Sequence, residues 1–123
     1  MYTLDTNAVI YFLAGEKNVV SLITKFISEE NYLYVPTMVR MELFSKPDLS
    51  LEDYASLSEF LRQVRGIDFD NRIADLAADI RRLYGVKVPD AIIAASAISM
   101  TSTLLTRNIP DFKMIKGLEI QAI

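Results

Sequence analysis

Residues 89–112, PDAIIAASAISMTSTLLTRNIPDF, decide the fold. Pro89 suits the first turn of a helix, where its missing N–H leaves no bond unmade. From Asp90 to about Met100 nearly every position is apolar or small. A helix apolar on almost all sides belongs at the centre of a domain. Ser102–Thr106 reads as a strand containing β-branched residues, and a turn with Asn108 and Pro110 follows it. The low-charge run Ala91–Thr106 is interrupted by Ser96, Ser99, Thr101, Ser102 and Thr103. It is also short of the ~20 residues a membrane span needs. It reads as a buried helix followed by a strand.

The same alternation extends in both directions. Tyr2–Leu4 is a short strand, Asp5–Thr6–Asn7 offers helix-capping side chains, and Ala8–Ala14 is a helix ended by Gly15. Val19, Val20, Leu22, Ile23, Phe26 and Ile27 recur at helical spacing. Tyr32–Val35 is a second strand and Pro36–Ser45 a helix closed by Pro47–Asp48. Tyr54, Leu57, Phe60, Leu61 and Val64 form another stripe ending near Gly66, and the two helices without a strand between them are expected to project as a hairpin. Ile67–Phe69 is a brief strand. Asp70 caps a helix with Ile73, Leu76, Ala77, Ile80 and Leu83 on one face, stopped by Gly85, and Glu119–Ala122 is the last strand. Short strands alternating with longer helices predict an α/β fold: a parallel sheet with helices on both faces, three layers in all. Its length of 123 residues suits a single domain.

Composition narrows the chemistry. The chain has no cysteine and no histidine. Disulfides, thiolate zinc sites, cysteine nucleophiles and histidine bases are therefore excluded. Any catalysis must use carboxylates, hydroxyls, amines or a bound ion. The net charge of −3 gives no global pull on phosphates. No secretory leader is legible, because Asp5 stands where positive charge is wanted and Asn7 and Gly15–Glu16–Lys17 break the apolar stretch. A soluble, cytoplasmic protein with no membrane association is expected.

In open α/β sheets ligands bind beyond the carboxyl ends of the strands. Asp5 follows the first strand, Asp90 opens the central helix and Asp111 follows the fourth strand, so pattern alone brings three acids to that edge. Asp5 and Asp90 also suit helix starts, and Thr6 or Asn7 could cap in place of Asp5. Glu42 lies mid-helix between Met41 and Leu43, on a face less polar than an exposed one. Clustered carboxylates raise one another's pKa and are stable at neutral pH chiefly around a cation. Oxygen ligands without nitrogen or sulfur suit Mg²⁺ or Mn²⁺.

The chain resembles PIN domains, in particular the compact ribonuclease toxins of the VapC kind. The resemblance rests on Leu4–Asn7, Met41–Leu43, Pro89–Ala95, Leu105–Phe112 and Ile115–Ile120, and it spans residues 1–123 as one domain. It implies a five-stranded parallel sheet with Asp5, Glu42, Asp90 and Asp111 gathered at its carboxyl edge. Asp5, Glu42 and Asp90 are then the principal metal ligands, with Asp111 completing a weaker position. Thr6, Asn7, Thr106 and Asn108 are implied as supporting polar groups. The activity implied is Mg²⁺- or Mn²⁺-dependent hydrolysis of RNA, leaving 5′-phosphate and 3′-hydroxyl ends. Arg40, Lys46, Lys87 and Arg107 are candidate phosphate contacts by their position near the motifs. The implied partners are RNA, an antitoxin that inserts a segment into the site, and a second copy in a homodimer. Two further possibilities within the family are an RNA-processing or decay nuclease without an antitoxin, and a non-catalytic scaffold.

Two other classes fit less well. Haloacid-dehalogenase-type phosphatases need a second acid two residues after the strand-end aspartate, where this chain has Asn7. A receiver-like module would phosphorylate an aspartate after the third strand. Asp68 and Asp70 lie there, but they read as a strand's polar face and a helix cap.

Overall fold

A parallel strand needs a crossover connection before its neighbour, and each crossover here is helical. The computed structural model describes residues 1–123. In chain order the elements are β1 (Tyr2–Leu4), α1 (Thr6–Leu13), α2 (Lys17–Ser28), β2 (Leu33–Pro36), α3 (Thr37–Phe44), α4 (Leu51–Arg62) and β3 (Arg65–Ile67). They continue with α5 (Asn71–Tyr84), α6 (Val88–Ser99), β4 (Thr103–Thr106), α7 (Ile109–Phe112) and β5 (Glu119–Ala122). The sheet order is β3-β2-β1-β4-β5 and every pairing is parallel. From β1 the chain steps outward through β2 to β3, then returns to the other side of β1 for β4 and β5. Right-handed crossovers in opposite directions put their helices on opposite faces, which gives the three expected layers. The reversal between β1 and β4 opens a crevice at their carboxyl ends.

The strands are short, so burial rather than ladder length holds them. Leu4, Leu104 and Leu105 are fully buried, and α6 buries every residue from Ala91 to Ala97 between the sheet and the neighbouring helices, α5 above all. Two polar groups in this core are satisfied locally. The Thr3 and Ser102 hydroxyls hydrogen-bond across β1 and the start of β4, and Ser96 Oγ donates to the Ile92 carbonyl at 2.7 Å. No helix is long and apolar enough to cross a membrane.

Several boundaries move from their expected places. The third strand is Arg65–Ile67, not Ile67–Phe69, because parallel pairing sets Tyr34 against Arg65, Val35 against Gly66 and Pro36 against Ile67. Gly66 thus lies inside a strand, and α4 has already ended at Arg62. Pro36 closes β2 instead of opening α3; its φ of −58° suits either role. The expected turn at Asn108–Pro110 is the single-turn helix α7, with proline in its first turn. The α3–α4 pair does not stand clear of the domain. α4 buries Leu57, Phe60 and Leu61 in the common core, with the Phe60 ring 5.0 Å from that of Phe12.

Phe112 is 1% exposed and is the one buried residue of α7. Phe112→Ala is expected to cost about 3–5 kcal/mol, read as a lower midpoint in urea unfolding with an unchanged slope.

Candidate active site

The carboxyl end of β1 delivers Asp5 into the crevice. Its side chain is buried, 6% exposed, because it is the N-cap of α1: Oδ1 accepts from the Ala8 N–H at 2.8 Å. The capping role left open for Thr6 or Asn7 therefore belongs to Asp5 itself. Thr6 instead donates from Oγ1 to Oε1 of Glu42 at 2.7 Å, joining the first turn of α1 to α3. Asp90 lies in the first turn of α6, half-buried. Thr106, the last residue of β4, is fully buried. Its hydroxyl accepts from the Asn108 N–H at 2.9 Å and lies near enough to Asp5 to favour the charged carboxylate. One threonine thus couples the β1 acid to the turn that leads to Asp111.

These residues line one cavity of about 200 Å³: Asp5, Thr6, Asn7, Glu42, Asp90 and Asn108, with Pro89, Ile93 and Phe112 as its apolar wall. Asp111 lines an adjoining cavity of about 190 Å³ with Lys87, and Asp90 borders both. Three of the four expected acids therefore share a space, and the fourth reaches it through Asp90. Ile93 and Phe112 were not singled out in the sequence. Ile93 stands one helical turn after Asp90, and Phe112 directly follows Asp111, so spacing from the acids would have found them.

The expected cations are spread out. Lys87 lines a cavity with Asp90 and Asp111. Lys46 lies with Glu42 along a separate groove, and Arg40 sits over the Phe44 ring at 5.3 Å. Arg107 is committed within the fold: Nε donates to the Ile123 carbonyl at 3.0 Å, the guanidinium pairs with Glu16, and it lies over the Tyr11 ring at 4.1 Å.

The acids carry a real electrostatic cost. Burial pushes the Asp5 carboxyl above its ordinary value; the Thr106 hydroxyl and the Ala8 hydrogen bond oppose this and the Glu42 charge adds to it. Asp90 is also raised, first by burial and then by Asp111, with Lys87 opposing and Asp5 and Glu42 contributing. The three ion pairs of the chain, Arg62–Glu59, Arg82–Asp79 and Arg107–Glu16, neutralise none of these acids. A cation would do so, and the all-oxygen donor set fits a hard divalent ion. No three carboxylates are drawn together tightly enough to form a protein-only cage. Such a spread suits an ion that keeps part of its water shell, as Mg²⁺ does.

The sequence profile of the PIN domain family matches residues 2–117. The chain belongs to that family. This PIN domain is 26% identical over 129 residues to "Ribonuclease VapC2" of Rickettsia felis, covering 98% of this chain and 96% of the relative. It is 27% identical over 124 residues to "Ribonuclease VapC19" of Mycobacterium tuberculosis, covering 97% and 98%. Among solved structures it is similar to VapBC2 from Rickettsia felis bound to a promoter DNA fragment, with a TM-score of 0.88, 24% identity and 99% and 98% of the two chains covered. It is similar also to DNA-bound VapBC from Salmonella typhimurium, at a TM-score of 0.82, 23% identity and 98% and 96% coverage. The five-stranded PIN fold implied by the sequence is the fold observed.

A carboxylate whose folded pKa is raised stabilises the fold while protonated, and that stability is lost as pH rises through the folded value. Metal-free Asp90→Asn is therefore expected to melt above wild type at neutral pH, with the gain vanishing in acid, where Asp90 is protonated in both states. At Asp5 the cap separates the variants: Asn keeps the acceptor for Ala8, so Asp5→Ala should be less stable than Asp5→Asn by about 1 kcal/mol. Thermal unfolding across pH in EDTA checks both.

Proposed function

We propose that this PIN domain is a Mg²⁺- or Mn²⁺-dependent endoribonuclease and the toxin of a type II toxin–antitoxin pair. The observation that carries the reading is the shared cavity. Asp5, Glu42 and Asp90 come from three separate elements, line one space at the sheet's reversal point and have no ion-pair partners. The names of the curated relatives, both ribonucleases, support the substrate class.

In this reading Asp5, Glu42 and Asp90 would hold the ion, directly or through water, and Asp111 would complete a second, weaker position. Such an ion, when bound, would supply the positive charge that polarises a phosphoryl oxygen and makes water a better nucleophile. The chain supplies the positioning. The Ala8 N–H fixes Asp5 beside the Thr106 hydroxyl, and Thr6 fixes Glu42 through Oε1, leaving Oε2 without a protein partner. Asn7 and Asn108 line the cavity as neutral polar contacts for the substrate. Lys87 offers the phosphate a positive charge from the adjoining cavity, with Arg40, Lys46 and Arg107 as outlying candidates for the RNA backbone. Water adds to phosphorus in line, the bond to the 3′ oxygen breaks, and that oxygen leaves as a hydroxyl after taking a proton. The products are a 5′-phosphate and a 3′-hydroxyl.

A groove of about 550 Å³ between α1, α3 and α4 favours the toxin reading over a free-standing decay nuclease. It is lined by Ile10, Leu13, Leu43, Leu49 and Leu57, and Glu42 lines both it and the acidic cavity, so an amphipathic antitoxin segment seated there would lie beside the acids. The solved structures of similar fold include VapBC complexes and a "Toxin-antitoxin complex from Klebsiella pneumoniae". A scaffold role is disfavoured because all four acids are present.

Wild type is expected to cut a labelled single-stranded RNA pool with Mn²⁺, to stop in EDTA and to leave 5′-phosphate ends. Asp5→Asn should be slower by at least about 100-fold. Equal rates for the two proteins would refute the site. In a bacterial host, induced expression of wild type should arrest growth, and Asp5→Asn at equal expression should not. Arrest by both would separate toxicity from these acids.

A further inference from the structure

Two of the three ion pairs in the chain are local: Arg62–Glu59 and Arg82–Asp79 each span one turn of a single helix. Arg107–Glu16 alone joins segments distant in sequence. A partly exposed pair contributes little by itself, but this one is reinforced twice. The Arg107 guanidinium lies over the Tyr11 ring at 4.1 Å, and its Nε donates to the Ile123 carbonyl at 3.0 Å. Its partners on the α1 side are themselves joined, because the Glu16 N–H donates to the Tyr11 carbonyl at 3.1 Å. The planar fork of arginine reaches all three partners at once.

The place of this clasp in the chain ties it to the acids. The last ladder pair of β4 and β5 is Thr106 with Ala122, so Arg107 is level with Ile123 where the sheet ends. Before it, Thr106 is fully buried and its hydroxyl accepts from the Asn108 N–H at 2.9 Å. After it, Asn108 lines the acidic cavity and the turn runs into α7 and Asp111. Asp5, Thr6 and Asn7, at the start of α1, line the same cavity, and Tyr11 belongs to that helix. Arg107, Tyr11 and Glu16 do not line it. The clasp therefore joins two walls of the cavity from outside.

We propose that Arg107 is a positioning residue: by holding Tyr11, Glu16 and Ile123 it fixes the β4–α7 turn against α1, and so sets the place of Asn108 and Asp111 relative to Asp5. A guanidinium that its sequence position offers to RNA is spent on the architecture of the site instead. Its effect on catalysis rests on the nuclease reading; its effect on the turn does not.

Arg107→Ala, Arg107→Lys and Glu16→Gln are compared with wild type at a temperature where circular dichroism shows all four folded. In metal-free Arg107→Ala the Asn108 amide should exchange with deuterium at least about tenfold faster, while Leu104 and Leu105 in the sheet exchange as before. Glu16→Gln keeps the ring and carbonyl contacts and should give a smaller rise, with no further rise when it is added to Arg107→Ala. Unchanged exchange at Asn108 in Arg107→Ala would overturn the proposal whether or not the protein cuts RNA. Calorimetry with Mn²⁺ should give Arg107→Ala the wild-type stoichiometry and a dissociation constant raised about tenfold; an unchanged affinity beside a loosened turn would break the link to the acids. With single-stranded RNA, kcat of Arg107→Ala should fall at least about tenfold at constant KM, and Arg107→Lys, which keeps the charge but not the fork, should recover only part of it. A raised KM with kcat kept, a shallower salt dependence and full recovery by lysine would make Arg107 a phosphate contact and refute the clasp. A wild type that neither binds Mn²⁺ nor cuts RNA would sink the nuclease reading and leave exchange at Asn108 to decide the clasp.

Discussion

Parallel pairing of β1 with β2 on one side and β4 on the other fixes where the acids can meet. With β1 at the centre, the chain must leave in both directions, and the crevice at its carboxyl end is covered by no crossover. Asp5 leaves β1 into that crevice, and Thr106 ends β4 beside it. α6 packs against both strands and brings Asp90 to the same edge. The fully buried Leu4, Leu104 and Leu105 hold this arrangement from below.

Asp5 combines two functions that sequence reading treats as rivals. One oxygen closes the first turn of α1, while the charge of the whole carboxyl faces Glu42 and Asp90. The cap explains how a buried carboxylate can be kept there at all: a hydrogen bond from the backbone and the nearby Thr106 hydroxyl oppose the penalty of leaving water. Capping α1 and facing the acidic cavity therefore need not compete for the residue.

The legible parts of the fold were those written by periodicity and caps. α6, α5 with Asp70 and Gly85 at its ends, and β5 follow from local pattern alone. β3 does not, because Arg65 and Gly66 are exposed and carry no apolar alternation, and its register is set by β2, 31 residues earlier in the chain. Of the site, Asp5, Asp90 and Asp111 were placed by their position after strands or at a helix start. Glu42 was the hard case: mid-helix, with no strand end or cap to mark it, it acquires meaning only when Thr6 meets it across the crevice. The dispersal of the cations was not legible either, since Arg107 sits beside the motif in sequence yet turns to Tyr11 and Glu16 in space.

The packing of α6 has a consequence for how this chain varies over generations. Ala91, Ala94, Ala95 and Ala97 are at or near zero exposure, and a close-packed core resists even one added methylene. The acids are the reverse, since neutralising them relieves repulsion. Two populations of defective alleles follow. Changes along the helix remove the protein altogether, by misfolding and degradation. On the proposed nuclease reading, isosteric changes at the acids would leave a sturdy, inert copy whose other surfaces are intact. Such a copy would still occupy any partner those surfaces bind, and so would act as a dominant competitor rather than a null.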